Sequence, residues 1–165
     1  MVTRRSFLLA SAMPALVPLG TLSPLYASTA ARSTMVIVTL RTSSLAEISL
    51  RDLKWLYTGE QVNGPGGAAL VPFNHVPRSP TRAAFDQLVL KMTPDEVGRF
   101  WVDRKIRGQQ GAPRAVPALD MLRKVIVALP NAVTYLLSSD VVPELKVLSV
   151  DGKSFADPAY PLHFE

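Results

Sequence analysis

Met35-Val36-Ile37-Val38-Thr39-Leu40 is an almost unbroken apolar, largely β-branched run of strand length. Continuous rather than alternating apolar character is what a strand covered on both faces requires, so this segment predicts a central strand between layers of helix. The next segment switches period. In Ser49-Leu50-Arg51-Asp52-Leu53-Lys54-Trp55-Leu56-Tyr57-Thr58-Gly59, Leu50, Leu53, Leu56 and Tyr57 fall on one helical face. Ser49 with Asp52 three residues on has the form of a capping box, the shorter Asp standing for Glu, and Gly59 sits where a helix stops. Asn63-Gly64-Pro65-Gly66-Gly67 is turn chemistry, and Leu70-Val71-Pro72-Phe73 reads as a short strand whose proline marks an edge or an end.

Three helices follow. Ser79-Pro80-Thr81-Arg82 opens the first, with Ser79 as N-cap and Pro80 at the first helical position, where its missing N–H costs nothing. Its buried face is expected to be Phe85, Leu88, Val89 and Met92. Thr93-Pro94-Asp95-Glu96 opens the second with cap, proline and reciprocal Glu, and Val97, Phe100 and Trp101 are expected inward. Its basic end, Arg104-Lys105-Ile106-Arg107, reads as favourable charge at a helix C-terminus, before Gly108. Pro117 to Leu129 reads as the third helix, on Leu119, Leu122, Val125, Ile126 and Leu129. Ala132–Leu136 and Leu145–Val150 are the closing strands, the second stopped by Asp151-Gly152. Strands alternating with helices imply an α/β fold with a mostly parallel sheet flanked by helices.

Upstream, Thr3-Arg4-Arg5-Ser6-Phe7-Leu8-Leu9 begins an uncharged stretch that reaches Ala31. A basic head, an apolar middle and the small-residue end Ala27-Ser28-Thr29-Ala30-Ala31 are the parts of an export signal, which resembles the twin-arginine type, although general secretory signals also begin with basic residues. Pro14, Pro18, Gly20 and Pro24 argue against a regular uncleaved membrane helix. Residues 1–30 are therefore read as a leader and 31–165 as one α/β domain, placed in the periplasm and not embedded in the membrane once the leader is cut. Without Arg4 and Arg5 the chain carries 16 basic and 13 acidic residues, a bias too small to imply nucleic acid. With no cysteine, disulfides, thiol catalysis and thiolate metal sites are excluded.

Catalytic patterns are missing. His75 and His163 are the only histidines, far apart and without metal-ligand spacing. No nucleophile elbow surrounds any serine, and no phosphate-cradling glycine loop is present. Neither enzyme activity nor a cofactor is expected. What remains is the helix start at Ser79: unpaired backbone N–H groups with partial positive charge, two hydroxyls at Ser79 and Thr81, and guanidinium groups at Arg78 and Arg82. That is oxyanion chemistry. The same residues also suit a plain N-cap with solvated arginines.

From Val36 to Leu162 the order of short motifs resembles the phosphate-type periplasmic solute-binding proteins, in particular short single-lobe relatives of the transporter's binding component. Ser44-Leu45 and the helix ending Tyr57-Thr58-Gly59 are similar to the family's "I-F-x-G" region. Ser79-Pro80-Thr81-Arg82-Ala83-Ala84-Phe85 is similar to its "S-G-T-R-x-x-F". Val133-Thr134-Tyr135 falls where "I-G-Y" is expected, and Lys146–Gly152 with Tyr160-Pro161-Leu162 resembles the family's ending. The resemblance implies a single lobe of the type II periplasmic-binding-protein fold. It implies an inorganic, phosphate-like oxyanion held by Ser79 and Thr81, with Arg78, Arg82, His75 and Ser44 as further ligand-binding candidates. An inner-membrane permease or sensor is the implied protein partner. Pro80 replaces the family's glycine and deletes one amide donor, and His75 stands where the family has an arginine. Those departures leave a second expectation open: a lobe without ligand that contacts a membrane sensor or transporter.

Overall fold

The computed structural model describes residues 33–164; the expected leader lies outside them. In chain order the elements are β1 (Ser33–Leu40), β2 (Glu47–Ile48), α1 (Leu50–Tyr57), β3 (Val71–His75), α2 (Pro80–Phe85), α3 (Pro94–Ile106), β4 (Arg114–Val116), α4 (Leu119–Ala128), β5 (Ala132–Leu137), β6 (Leu145–Val147), β7 (Ser149–Val150) and β8 (His163–Phe164). The main sheet has the order β4-β3-β5-β1-β6, with β8 also on β1; β2 and β7 form a separate parallel pair. β3 runs parallel to both β4 and β5, whereas β1 is antiparallel to β5, β6 and β8. All the main-sheet strands but β1 therefore point the same way. The sheet is mostly parallel, with its one reversed strand near the middle.

β1 is central for the reason its composition gives. Its alternate side chains enter different apolar clusters: Met35 and Ile37 join Leu53, Leu56, Tyr57, Phe85 and Val89 on the α1–α2 side. Val36 and Val38 join Phe73, Leu122, Ile126 and Leu136 on the α4 side. The result is a three-layer α/β/α arrangement in which the sheet is buried on both faces.

Several expectations are revised. β3 extends to His75 and lies inside the sheet; Pro72 is tolerated because β4 pairs only from Phe73 onward. The expected final strand is two, β6 and β7, since Leu148 bonds back to Ile37 O before the chain turns to pair with β2. α4 is shorter than Pro117–Leu129, and Leu129 is exposed. In α3 only Val97 is buried; Phe100 and Trp101 are half-covered. Strands β2, β4 and β8 are too short to carry a pattern of their own.

Candidate functional site

The parallel strands β3, β4 and β5 end on one side of the sheet. After β3 the chain leaves towards β4; after β5 it leaves in the other direction, towards β6 beyond β1. Such a divergence opens a crevice at the carboxyl ends of the strands, the place where open α/β sheets hold ligands. Residues 74–82 and 135–140 line that end.

Beneath it lies a buried polar network. Tyr57 donates its hydroxyl proton to Phe73 O at 2.8 Å, and the Thr134 hydroxyl donates to the same carbonyl at 3.0 Å. The Tyr135 hydroxyl donates to Asn74 Oδ1. Burial pushes both phenols well above their ordinary range, so they remain neutral donors at any physiological pH. Phe85, the last residue of α2, stacks on Tyr135 of β5 with ring centroids 3.9 Å apart, which ties the end of α2 to that strand.

The loop between β3 and α2 is a tight turn. Val76 O accepts from Ser79 N–H at 3.3 Å, with Pro77 and Arg78 between them. Arg78 has φ +69°, so Val76–Ser79 has the form of a type II turn carrying arginine where glycine is relaxed. Ser79 then caps α2, its hydroxyl accepting from Arg82 N–H at 3.2 Å. Pro80 has no N–H, and the Thr81 N–H has no partner among the described residues. α2 passes directly into one π-helical turn, Asp86–Leu90.

Arg82 faces inward. Its Nε lies 2.9 Å from both oxygens of Asp86, and its Nη1 donates to His75 O at 3.3 Å. Arg82 is 8% exposed and Asp86 2%, so this is a buried ion pair. Burial raises the Asp86 carboxyl from its ordinary range, against the downward pull of Arg82. His75 is half-buried; its Nε2 meets Tyr135 O at 2.9 Å and its ring lies 5.0 Å from that of Tyr135. Since a carbonyl only accepts, Nε2 carries the proton and Nδ1 of the neutral ring is a bare acceptor. Burial lowers the His75 pKa, and the nearby Arg82 charge adds to the effect.

The structure brings together His75, Arg78, Ser79, Thr81 and Arg82, all within the stretch that leaves β3. Of these, Arg78 is exposed and in no ion pair among the described residues, while Arg82 is committed to Asp86. Ser44 is not with them. It follows the carboxyl end of β1, and because β1 alone is reversed, that end lies at the opposite edge of the layer from the β3–α2 turn. Asp86, Asn74 and Tyr135 were missed as parts of the site. The spacing of Arg82 and Asp86, one helical turn apart, was the available signal for the ion pair.

Beside this end, a cleft of about 810 Å³ runs between α2, α3 and the segment before β4. Arg78 and Arg82 belong to its rim; its far wall is Trp101, Val102 and Ile106 of α3. Val102 is 60% and Ile106 80% exposed. No helix among the described residues is long and apolar enough to cross a membrane.

No protein-family model and no curated protein sequence matches the chain. Solved structures do. An ABC-type phosphate transport receptor from Vibrio cholerae superposes with a TM-score of 0.62 at 16% identity, over 80% of this chain and 54% of the receptor. PstS from Borrelia burgdorferi gives 0.61 at 16% identity, over 80% and 55%. A substrate-binding protein from Clostridium perfringens, solved with bound phosphate, gives 0.60 at 20% identity, over 74% and 47%. The chain thus spans about half the length of the structures it matches. At these identities the likeness is one of fold: the chain has the α/β architecture of part of a phosphate-type solute-binding protein.

Proposed function

We propose that this protein is a periplasmic solute-binding-like protein that holds an inorganic oxyanion, phosphate by likeness to its structural neighbours, at the turn between β3 and α2. One observation carries the reading: the turn holds Arg78 in a strained left-handed conformation directly before Ser79 and Thr81, at the carboxyl ends of the parallel strands. Strain of this kind costs on the order of 1 kcal/mol and persists where the surroundings impose it, which is common at ligand sites. The Arg78 guanidinium supplies charge, the two hydroxyls and the Thr81 N–H supply donors, and Ser79 keeps its capping bond as an acceptor. Held by this lobe alone, an anion stays partly hydrated, so its expected affinity there is weaker than in a closed cleft. Delivery to an inner-membrane permease, after export by the leader, is the corresponding role.

A second reading, an interaction module without ligand, draws support from the inward turn of Arg82 and from Val102 and Ile106 exposed beside the 810 Å³ cleft. Melting separates the two. Phosphate, sulfate, molybdate or arsenate at about 100 times its dissociation constant adds about 2.7 kcal/mol of stability, a rise of several degrees. Absence of any shift at high millimolar anion leaves the interaction module. A shift that survives unchanged in Ser79→Ala/Thr81→Ala would place the anion elsewhere.

A further inference from the structure

Nδ1 of His75 makes no hydrogen bond among the described residues, and it is not sealed from solvent as the buried orphan atoms Arg104 Nε, Arg123 Nε and Tyr160 OH are. Two contacts fix its ring and a third fixes its backbone. Tyr135 O holds Nε2, the Tyr135 ring lies against one side, and the backbone carbonyl of His75 is held by Arg82 Nη1. With the ring held and one tautomer imposed, the free position has two chemical states. Neutral Nδ1 repels an oxyanion through its lone pair. Protonated, it is a charged N–H donor.

We propose that His75 is a proton-gated cation of the β3–α2 site, so that the oxyanion binds tightly under mildly acidic conditions and weakly at neutral pH. The inference rests on the binding reading above and specifies how that site is regulated. The charged and titratable groups around the imidazole fit a gate of this kind. From α2, Arg82 faces it and opposes protonation, but the charge of Arg82 is offset by Asp86 behind it. From the turn after β5, Asp140 favours protonation. From β5, Tyr135 contributes a neutral phenol and its carbonyl; from β4, the paired residue is Val116, which is uncharged. Arg78, three residues on, is a permanent cation. A bound anion would be the second negative group near the ring, and it would draw the proton on.

The sign follows from linkage. Burial and Arg82 hold His75 below its ordinary value of about 6.5 in the free protein, so at neutral pH it is uncharged. An anion that prefers the protonated ring raises that pKa, so binding takes up a proton and affinity climbs as pH falls through the pKa of the anion-bound ring, levelling below that of the free ring. Sulfate is the probe, because it does not titrate in this range and phosphate does.

The experiment measures sulfate affinity by calorimetry at pH 8 and pH 5, and follows both histidine rings by NMR. The expected result is about tenfold tighter binding at pH 5, within the usual span of coupling between two sites. The expected NMR result is a sulfate-dependent rise of the His75 pKa. In His75→Gln the pH dependence should vanish; in His75→Arg affinity should be high at both pH values; His163→Gln should behave as the parent. Equal sulfate affinity at pH 5 and 8 overturns the gate and leaves the binding site standing. A pH dependence that persists in His75→Gln, or a His75 ring whose titration ignores sulfate, overturns it as well. Failure of sulfate and phosphate to bind at any pH removes the binding reading and the gate together. The NMR titration uses the unaltered protein, so a poorly folding variant does not leave the matter open.

Discussion

α2 and α3 begin with the same grammar and end as opposites. Each has a hydroxyl N-cap, Ser79 or Thr93, followed by proline at the first helical position. At the third position the sequences diverge, Arg82 against Glu96. Glu96 reaches back to Thr93 N–H at 2.7 Å and closes a complete capping box, so α3 supplies its own anion. Arg82 cannot do this. It turns inward to Asp86, and the first turn of α2 contains no acid at all. The self-satisfied helix is the loosely docked one, with Val97 its only buried side chain; the helix with the open end is anchored by Phe85, Arg82 and Asp86 in the core. Local capping can hold a helix that tertiary packing barely touches, while packing can hold a helix start that remains available to a ligand.

The largest expected effect breaks this comparison at its ion pairs. Asp86→Asn leaves the buried Arg82 without its counter-ion, and denaturant melts should show a loss of about 3–5 kcal/mol. The matching change in α3, Asp103→Asn, removes an ion pair with Arg107 whose side chains are 57% and 66% exposed, and should cost no more than about 0.5 kcal/mol. Similar losses from the two variants would mean that α2 is not anchored as described.

The caps come next. Ser79→Ala and Thr93→Ala should each cost about 1 kcal/mol by urea unfolding. If Thr93→Ala proved silent, the box would not be holding α3. Arg78→Gly relaxes the left-handed turn residue and should raise the melting temperature, by up to about 1 kcal/mol in stability, while weakening the anion-induced shift. A gain in stability with an undiminished anion shift would detach Arg78 from the site.

The smallest effects are in pH. Glu96 is held below its ordinary value, first by the Thr93 N–H and then by its hydroxyl. Its contribution is thus present above about 4.3 and lost as pH falls through the depressed folded value; the acid limb of a stability–pH curve should flatten in Glu96→Gln. His75 is also depressed, so without anion the stability present above about 6.5 declines as pH falls through the folded pKa, and sulfate should reverse that slope. An anion-free stability curve that is level from pH 7 to 5 would show that His75 is not held neutral.

Much of the layer order was legible. The continuous apolar run of β1 implied burial on both faces, and its alternate residues do enter both clusters. The Thr93 box and the Ser79 cap form as written, because each is an interaction between residues three apart. The candidate site was legible only where it is local. Arg78, Ser79 and Thr81 belong to one turn and were found together. Ser44 was misplaced, since nothing near it states that β1 runs against its neighbours. Asn74 and Tyr135 went unseen, because their bond joins strands 61 residues apart in sequence.

Sequence alone determined the longer helices and strands, where α2 and α3 begin, and that cysteine chemistry is excluded, because those depend on short-range bonding and composition. Tertiary structure decided which way each polar side chain faces. Arg82 looks in free solution like a ligand-binding cation, and it becomes a buried partner of Asp86 only when β3, β5 and α2 close over it. Conversely, Arg78 and His75 are visible beside the Ser79 motif, but only the β3–α2 turn and the Tyr135 carbonyl decide how their side chains are held. Periodicity and capping are set over a few residues, whereas the direction of a charge depends on the dielectric and partners that packing creates.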